Sequence, residues 1–405
     1  DVGLFGFITQ RQDGLTFDGT LDLTTSDLRD LLKWTNISLP QAASNRFRKL
    51  QLSSKIKANI KTVELSNIKL KLDQTKIRGT SSLTLKDRSS LTLALEIDKI
   101  DLDSYLPQNK RKKKLLPDNK QQPENRSNTS KGRTSKSQTG SDIITYSALG
   151  FLSDLDVNLT SRINSLAVNG RRVLKINLDA KLKKGNLVLN KFSFKSIEGI
   201  QGKISGKLSG LTALSGKPNP VLKDFKISLF GNTLDQFLPF LGIKLPIRTL
   251  NSGAIRFKAN LNGKPNHLNF SANLRMQKGK LNLKGKVQPF AGSPSFEGQV
   301  QLIHPNLTKL LRTFKISYAP TKIKNNSVNL SGKLSLAGKS LSLSRINGNL
   351  LGIRLGGHLE IKTDKPKPTI NANLAAGSIN LDGLSTNNSI AYFIQGVGRG
   401  YALKT

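Results

Sequence analysis

Lys280-Leu-Asn-Leu-Lys-Gly-Lys-Val287 alternates without a break. Successive side chains of an extended strand point to opposite faces, so Leu281, Leu283 and Val287 share one face and Lys280, Asn282 and Lys284 the other. The same phase returns in Val328 and Leu330 against Asn329 and Ser331. Upstream, Lys69-Leu-Lys-Leu72, Ser82-Leu-Thr-Leu85 and Leu91-Thr-Leu-Ala-Leu95 repeat it, with breaks at Arg78-Gly79 and Asp87-Arg88 that read as turns. Further strand patterns cover Leu4–Ile8, Thr16–Leu23, 175–182, 186–189, 192–194, 255–261, 268–276, 341–351, 353–361 and 369–374. The glycines of 199–210 predict bulges in a curved sheet. Nearly the whole chain therefore reads as antiparallel sheet with one apolar face and one face of Lys, Asn and Ser.

Three segments break the alternation in the same way: Asp27–Pro40, Thr233–Pro246 and Asn306–Pro320. Each carries an i, i+3, i+4 stripe (Leu28, Leu31, Leu32; Leu234, Phe237, Leu238; Leu307, Leu310, Leu311), then an aromatic residue, an isoleucine and a closing proline. That spacing predicts a short amphipathic helix that covers the sheet and returns the chain to strand. Thr25 or Ser26 is the expected N-cap of the first. Recurrence of one device marks a repeat architecture, although with this uneven spacing a regular solenoid does not follow.

The formal charge is +38. Pro107–Asp142 contributes +7, from ten Lys/Arg and three Asp/Glu, so the patterned remainder holds +31. Such a balance favours anionic partners and says nothing of the fold. Residues 107–142 are almost free of large apolar side chains and read as a disordered basic linker. It divides a first β segment (1–106) from a second (143–386), with 387–405 left as an unassigned tail. There is no cysteine, so disulfide and thiolate chemistry are excluded. No run of 18 apolar residues forms a membrane-spanning helix. Asp1 in place of an initiator methionine fits a processed chain or a fragment.

Enzyme signatures are missing, and the expectation is a non-enzymatic protein without metal or cofactor. His267, His304 and His358 stand alone, without ligand spacing, and read as structural. Asp101 and Asp103 imitate paired carboxylates, but turn residues at a strand end are the simpler reading. No nucleic-acid motif accompanies the charge, so no specific nucleic acid is expected. An outer-membrane barrel lacks its aromatic girdles here.

Several motifs fall in an order similar to that of the AsmA family. Ile100-Asp-Leu-Asp103 before Tyr105-Leu-Pro107 resembles the family's strand-closing motif, and Gly19–Arg29 resembles its strand-to-helix junction. Ile163–Gly170, Gly199–Gly206, Leu238–Pro246 and Ile379–Leu384 resemble later strands, a helix exit and a second closing motif. Gly199-Ile-Gln-Gly202 departs from the family in lacking a tyrosine, and the family's initial membrane helix is not among these residues. The resemblance implies a protein of the Gram-negative envelope, anchored in the inner membrane and facing the periplasm. It implies bridge-like movement of phospholipid or lipopolysaccharide and a part in outer-membrane assembly, with assembly proteins and an anionic membrane surface as further partners.

The fold expected from pattern and resemblance together is a long curved antiparallel sheet, an open β-groove of repeated strand groups with short capping helices. Acyl chains would lie on its apolar face while headgroups stay in water. The lining residues expected are Leu281, Leu283, Val287, Leu334, Leu336, Ile353 and Leu355, each passive, so that a charge at Leu283 harms more than an alanine does. Pattern alone also admits a β-sandwich whose apolar faces pack together. The competing functions are a periplasmic scaffold or regulator with such a packed core, a surface adhesin, and an enzyme with a convergent polar pocket.

Overall fold

The computed structural model describes residues 1–12, 14–30, 46–105, 155–211, 219–240, 249–250, 252–289, 293–316, 318, 325–364 and 369–378. Six strands precede residue 106: β1 (Val2–Arg11), β2 (Gly14–Thr25), β3 (Leu50–Ala58), β4 (Thr62–Leu72), β5 (Thr75–Thr84) and β6 (Ser89–Asp101). After residue 154 come β7 (Leu155–Val168), β8 (Arg171–Lys183), β9 (Asn186–Ile197), β10 (Ile200–Ser209), β11 (Val221–Gly231), β12 (Ile255–Lys264) and β13 (His267–Met276). The series ends with β14 (Gly279–Gln288), β15 (Ser295–His304), β16 (Val328–Ala337), β17 (Ser340–Leu350), β18 (Ile353–Lys362) and β19 (Thr369–Ala376). Three short helices are described: α1 (Leu102–Tyr105), α2 (Leu234–Phe240) and α3 (Leu307–Thr313).

Each strand pairs with the next in sequence, and all 19 belong to one open, curved sheet. One pair departs from the antiparallel expectation: β6 and β7 run parallel, Ser89 opposite Leu155 and Asp101 opposite Ala167. A hairpin cannot join parallel neighbours; a long connection must return the chain to the opposite side of the sheet. The 49 residues between Tyr105 and Leu155 make that return, and the expected linker 107–142 and tail 387–405 lie outside the described residues.

Strand direction sets the position of the helices. The ends of β2, β6, β11 and β15 all fall on the same rim of the sheet, so the helical turn at 28–30 and α1, α2 and α3 line that rim. The first turn is capped by Asp27, whose carboxylate accepts the Arg29 N–H at 3.1 Å, rather than by the Thr25 or Ser26 expected; a carboxylate here also favours the helix dipole. Thr25 supports it by accepting the Asp27 N–H at 3.2 Å. α3 is capped by Asn306, which accepts from the Lys309 N–H at 2.7 Å. The three closing prolines lie outside the described residues.

The stripe of α2 forms the main core. Leu234 and Phe237 are buried on the apolar face among Ile176, Phe194, Ile200, Leu229, Ile255 and Met276, and Leu310 and Phe314 of the α3 segment pack on the same cluster. Arg78-Gly79 is not the turn expected. β5 runs through it, and Gly79, at φ +155°, lies beside the bulge that Asn67 makes in β4, where an added Cβ would meet the Ala94 carbonyl oxygen at 2.0 Å. The turn is instead at Asp73-Gln74. The glycine marked a close approach of backbones inside a strand.

Candidate functional site

The pairing register carries one apolar face across the sheet. Side chains directly opposite each other in adjacent strands share a face. One row runs Phe257, Leu274, Leu281, Leu302, Leu330, Gly348, Leu355. A second runs Leu268, Val287, Phe296, Leu336, Leu341, Ile361, Ile370. Between them, Ala272 meets Leu283 and Leu283 meets Val300. Leu334 faces Gly298 and Leu343, and Ile353 faces Leu350 near the helical rim. All seven residues expected from the sequence therefore lie on one face, spread over β14, β16 and β18.

The face continues upstream through Leu23, Leu52, Leu70, Ile77 and Ile97, crosses the parallel junction from Ile97 to Ile163, and goes on to Ile176. Eighteen strand spacings of about 4.8 Å make it roughly 85 Å long. Among the described residues no second sheet packs on it, and they form no sandwich. Away from the α2 cluster the face is half-buried: Leu281, Leu283, Val287, Leu334, Ile353 and Leu355 are partly accessible and Leu336 is exposed. Gly285 and Gly298 face each other between Phe270 and Leu334, leaving two strands of that row without a side chain.

The opposite face is polar. Asn273 donates to Asn282 at 2.6 Å and Asn282 to Gln301 at 3.3 Å, an amide ladder across three strands. Nearer the helical rim, cations stand side by side: Arg256 opposite Arg275, and Arg275 opposite Lys280. The same occurs at Lys69 with Arg78 and Lys71 with Lys76, which line a hollow of about 340 Å³ together with Asp22. Like charges directly opposite one another destabilise a sheet. None of these seven cations has a carboxylate within ion-pair distance among the described residues.

At the parallel junction the acidic residues are structural. Asp103 accepts the N–H groups of Asn169 at 2.5 Å and Gly170 at 2.8 Å, clamping the β7–β8 turn. Asp101 accepts from the Ser104 hydroxyl at 2.6 Å. Asp73 accepts from the Phe47, Arg48 and Lys49 backbones at 2.9–3.1 Å and from the Tyr105 hydroxyl at 3.0 Å. Burial opposes its ionisation, but these donors outweigh it and hold the carboxyl below its usual range. Tyr105 stacks edge-on to Phe47, with Arg46 over its ring. The Tyr105 motif thus ties β6, β7 and the β4–β5 turn together.

His304 is buried beneath α3. Its Nδ1 accepts the Asn306 N–H at 3.0 Å and its Nε2 is unpartnered. Burial pushes its pKa down, and nearby Lys309 adds to this. His267 and His358 are exposed, and no group of three metal-ligating side chains occurs among the described residues. Among the same residues no helix is long and apolar enough to cross a membrane.

The cation rows and the parallel junction were not foreseen from the sequence. Both depend on register, which local pattern does not specify. Comparison with protein-family models, characterised proteins and solved structures finds no match.

Proposed function

We propose that this chain is a non-enzymatic envelope protein of the AsmA type that carries the acyl chains of phospholipid or lipopolysaccharide on its apolar face. One observation carries the reading: the face is continuous over 19 strands, and among the described residues nothing covers it over most of them. Exposed apolar area on this scale is costly in water and marks a surface for a lipid or a partner. A groove of roughly 85 Å exceeds the hydrocarbon thickness of one bilayer, about 30 Å, and suits transfer between two membranes. The unpaired cation rows on the polar face suit anionic headgroups near the helical rim. In this reading the protein works in the periplasm, is held at the inner membrane, and supports outer-membrane assembly by supplying lipid.

Native mass spectrometry with lipid extraction, on the chain purified gently from a bacterial envelope, tests this. Bound phospholipid or glycolipid at defined stoichiometry, displaced by added lipid, is expected. A lipid-free particle that copurifies with an assembly protein would replace the conduit with a scaffold.

A further inference from the structure

Two adjacent rows of the polar face carry a square of cations. In one row Asp22, Ser53, Lys69 and Arg78 lie side by side across β2–β5; in the next, Thr24, Gln51, Lys71 and Lys76 do. The four cations are spaced about 5 Å between strands and about 7 Å along them. They point away from the apolar face, whose Leu70 and Ile77 alternate with them. Like charges in register repel, and the neighbouring carboxylates give little relief. Glu96, opposite Arg78, bonds instead to Arg162 at 3.2 Å, and Asp98 accepts the Lys76 backbone N–H at 2.7 Å. Asp22 lies beyond Ser53, two strands from Lys69.

The square lines the hollow of about 340 Å³, a volume at the small end of ligand sites. Two irregularities of register bound it on the side away from the helical rim, Ser53/Lys55 in β3 and Leu65/Ile68 in β4. Bulges re-aim side chains and recur beside active sites. The Arg256, Arg275, Lys280 row is different: it is single, Arg256 lies over the Phe230 ring, and Arg275 donates to Asn273 at 3.1 Å.

We infer that the hollow binds a doubly charged phosphate group, as in a phosphomonoester or a pyrophosphate. Four cations against the one carboxylate of Asp22 leave +3, more than a singly charged phosphodiester balances. The Arg78 fork can hold two phosphate oxygens side by side, while the lysines act as point charges on the rest. Ser53, Thr24 and Gln51 add neutral donors on the β2–β3 side. The phosphate is either free in solution or the headgroup of a lipid. Only the second source rests on the lipid reading above.

Titration calorimetry of the full chain with inorganic pyrophosphate, at about 0.15 M ionic strength, reads the site directly. One saturable site per chain is expected. Lys71→Gln/Lys76→Gln should weaken it about tenfold or more. Lys226→Gln/Lys258→Gln removes two exposed cations from β11 and β12 and should change it less than about twofold. Arg78→Lys keeps the charge but loses the fork, so binding should fall several-fold, a loss that diffuse attraction to a basic surface would not produce. Circular dichroism should show every variant folded. Equal losses in the two double variants, an unaltered Arg78→Lys, or no saturable binding would overturn the inference. Phosphatidylcholine vesicles carrying phosphatidic acid or phosphatidylglycerol separate the two sources. Cosedimentation that favours phosphatidic acid, a preference lost in Lys71→Gln/Lys76→Gln, makes the phosphate a lipid headgroup. Pyrophosphate binding without that preference upholds the site with a soluble phosphate, and leaves the apolar groove to be judged by its own lipid content.

Discussion

An open face and a packed core respond differently to truncation, and two residues on the same side of this sheet make the comparison. Phe237 is fully buried under α2, with its ring 6.0 Å from that of Phe257. Phe237→Ala should cost about 3–5 kcal/mol, the range for a buried aromatic that leaves a cavity. Leu283 lies on the same face but is only half-buried, between Ala272 and Val300. Full burial of a leucine is worth about 1.5–3 kcal/mol, so Leu283→Ala should cost only about 1 kcal/mol. Native-state hydrogen exchange reads both without requiring the long sheet to unfold in one step. Amides of β10–β13 in Phe237→Ala should exchange faster by about two to more than three orders of magnitude, and those of β13–β15 in Leu283→Ala by only about fivefold. Equal effects of 3 kcal/mol or more at both sites would mean a layer covers the face, and the groove would not exist.

Leu283→Asp should reduce bound lipid in native mass spectra several-fold while Leu283→Ala leaves it nearly unchanged; equal loss in both would contradict passive solvation by this face. His304 is held neutral by burial, so its contribution is present above the unfolded pKa of about 6.5 and is lost as pH falls through the lowered folded pKa. Protection factors around α3, taken against the intrinsic exchange rate at each pH, should therefore fall on acidification below about pH 6.5, and His304→Gln should flatten that response. Asp73 has the same direction at lower pH: its stabilisation is present above about pH 3.9 and is lost as pH falls through its lowered folded value. Asp73→Asn should cost roughly 1.5–3 kcal/mol in urea titrations at neutral pH, and a neutral outcome would show that the Tyr105 corner is not a clamp. Arg275→Glu should weaken sedimentation with anionic vesicles at low salt without lowering stability, because it sets a carboxylate between Arg256 and Lys280 in place of a like charge.

Legibility followed the range of the interaction. Alternation at Leu281, Leu283 and Val287 depends on neighbours two residues apart, and it placed the strands and the apolar face. The stripe Leu234, Phe237, Leu238 likewise marked a helix. Which strand lies beside β6 depends on a pairing of residues more than 60 positions apart, and nothing near Ser89 or Leu155 encodes it. Arg78-Gly79 misled for a related reason, since glycine signals a turn and a tight backbone crossing alike. Asp27 outranked Thr25 and Ser26 as the cap because the strand runs to Thr25. β1 was legible only in part: its centre at Leu4–Ile8 shows, but its full span, Val2–Arg11, is set by the pairing with β2.

Sequential pairing has a consequence for how such a sheet comes into being. Strand contacts join chain neighbours throughout, so each new strand docks on the one before it, as units do in a linear repeat array. Growth can keep pace with an emerging chain, and strands added or lost at the far end would change the length of the sheet without disturbing what is already formed. The β6–β7 junction is the longest interruption of this zippering, since 49 residues separate Tyr105 from Leu155, against 24 between β2 and β3. Closing that loop costs about 3 kcal/mol in its length-dependent part. The two arms should thus assemble separately, each on its own clock, with the parallel pair as the last seam to close.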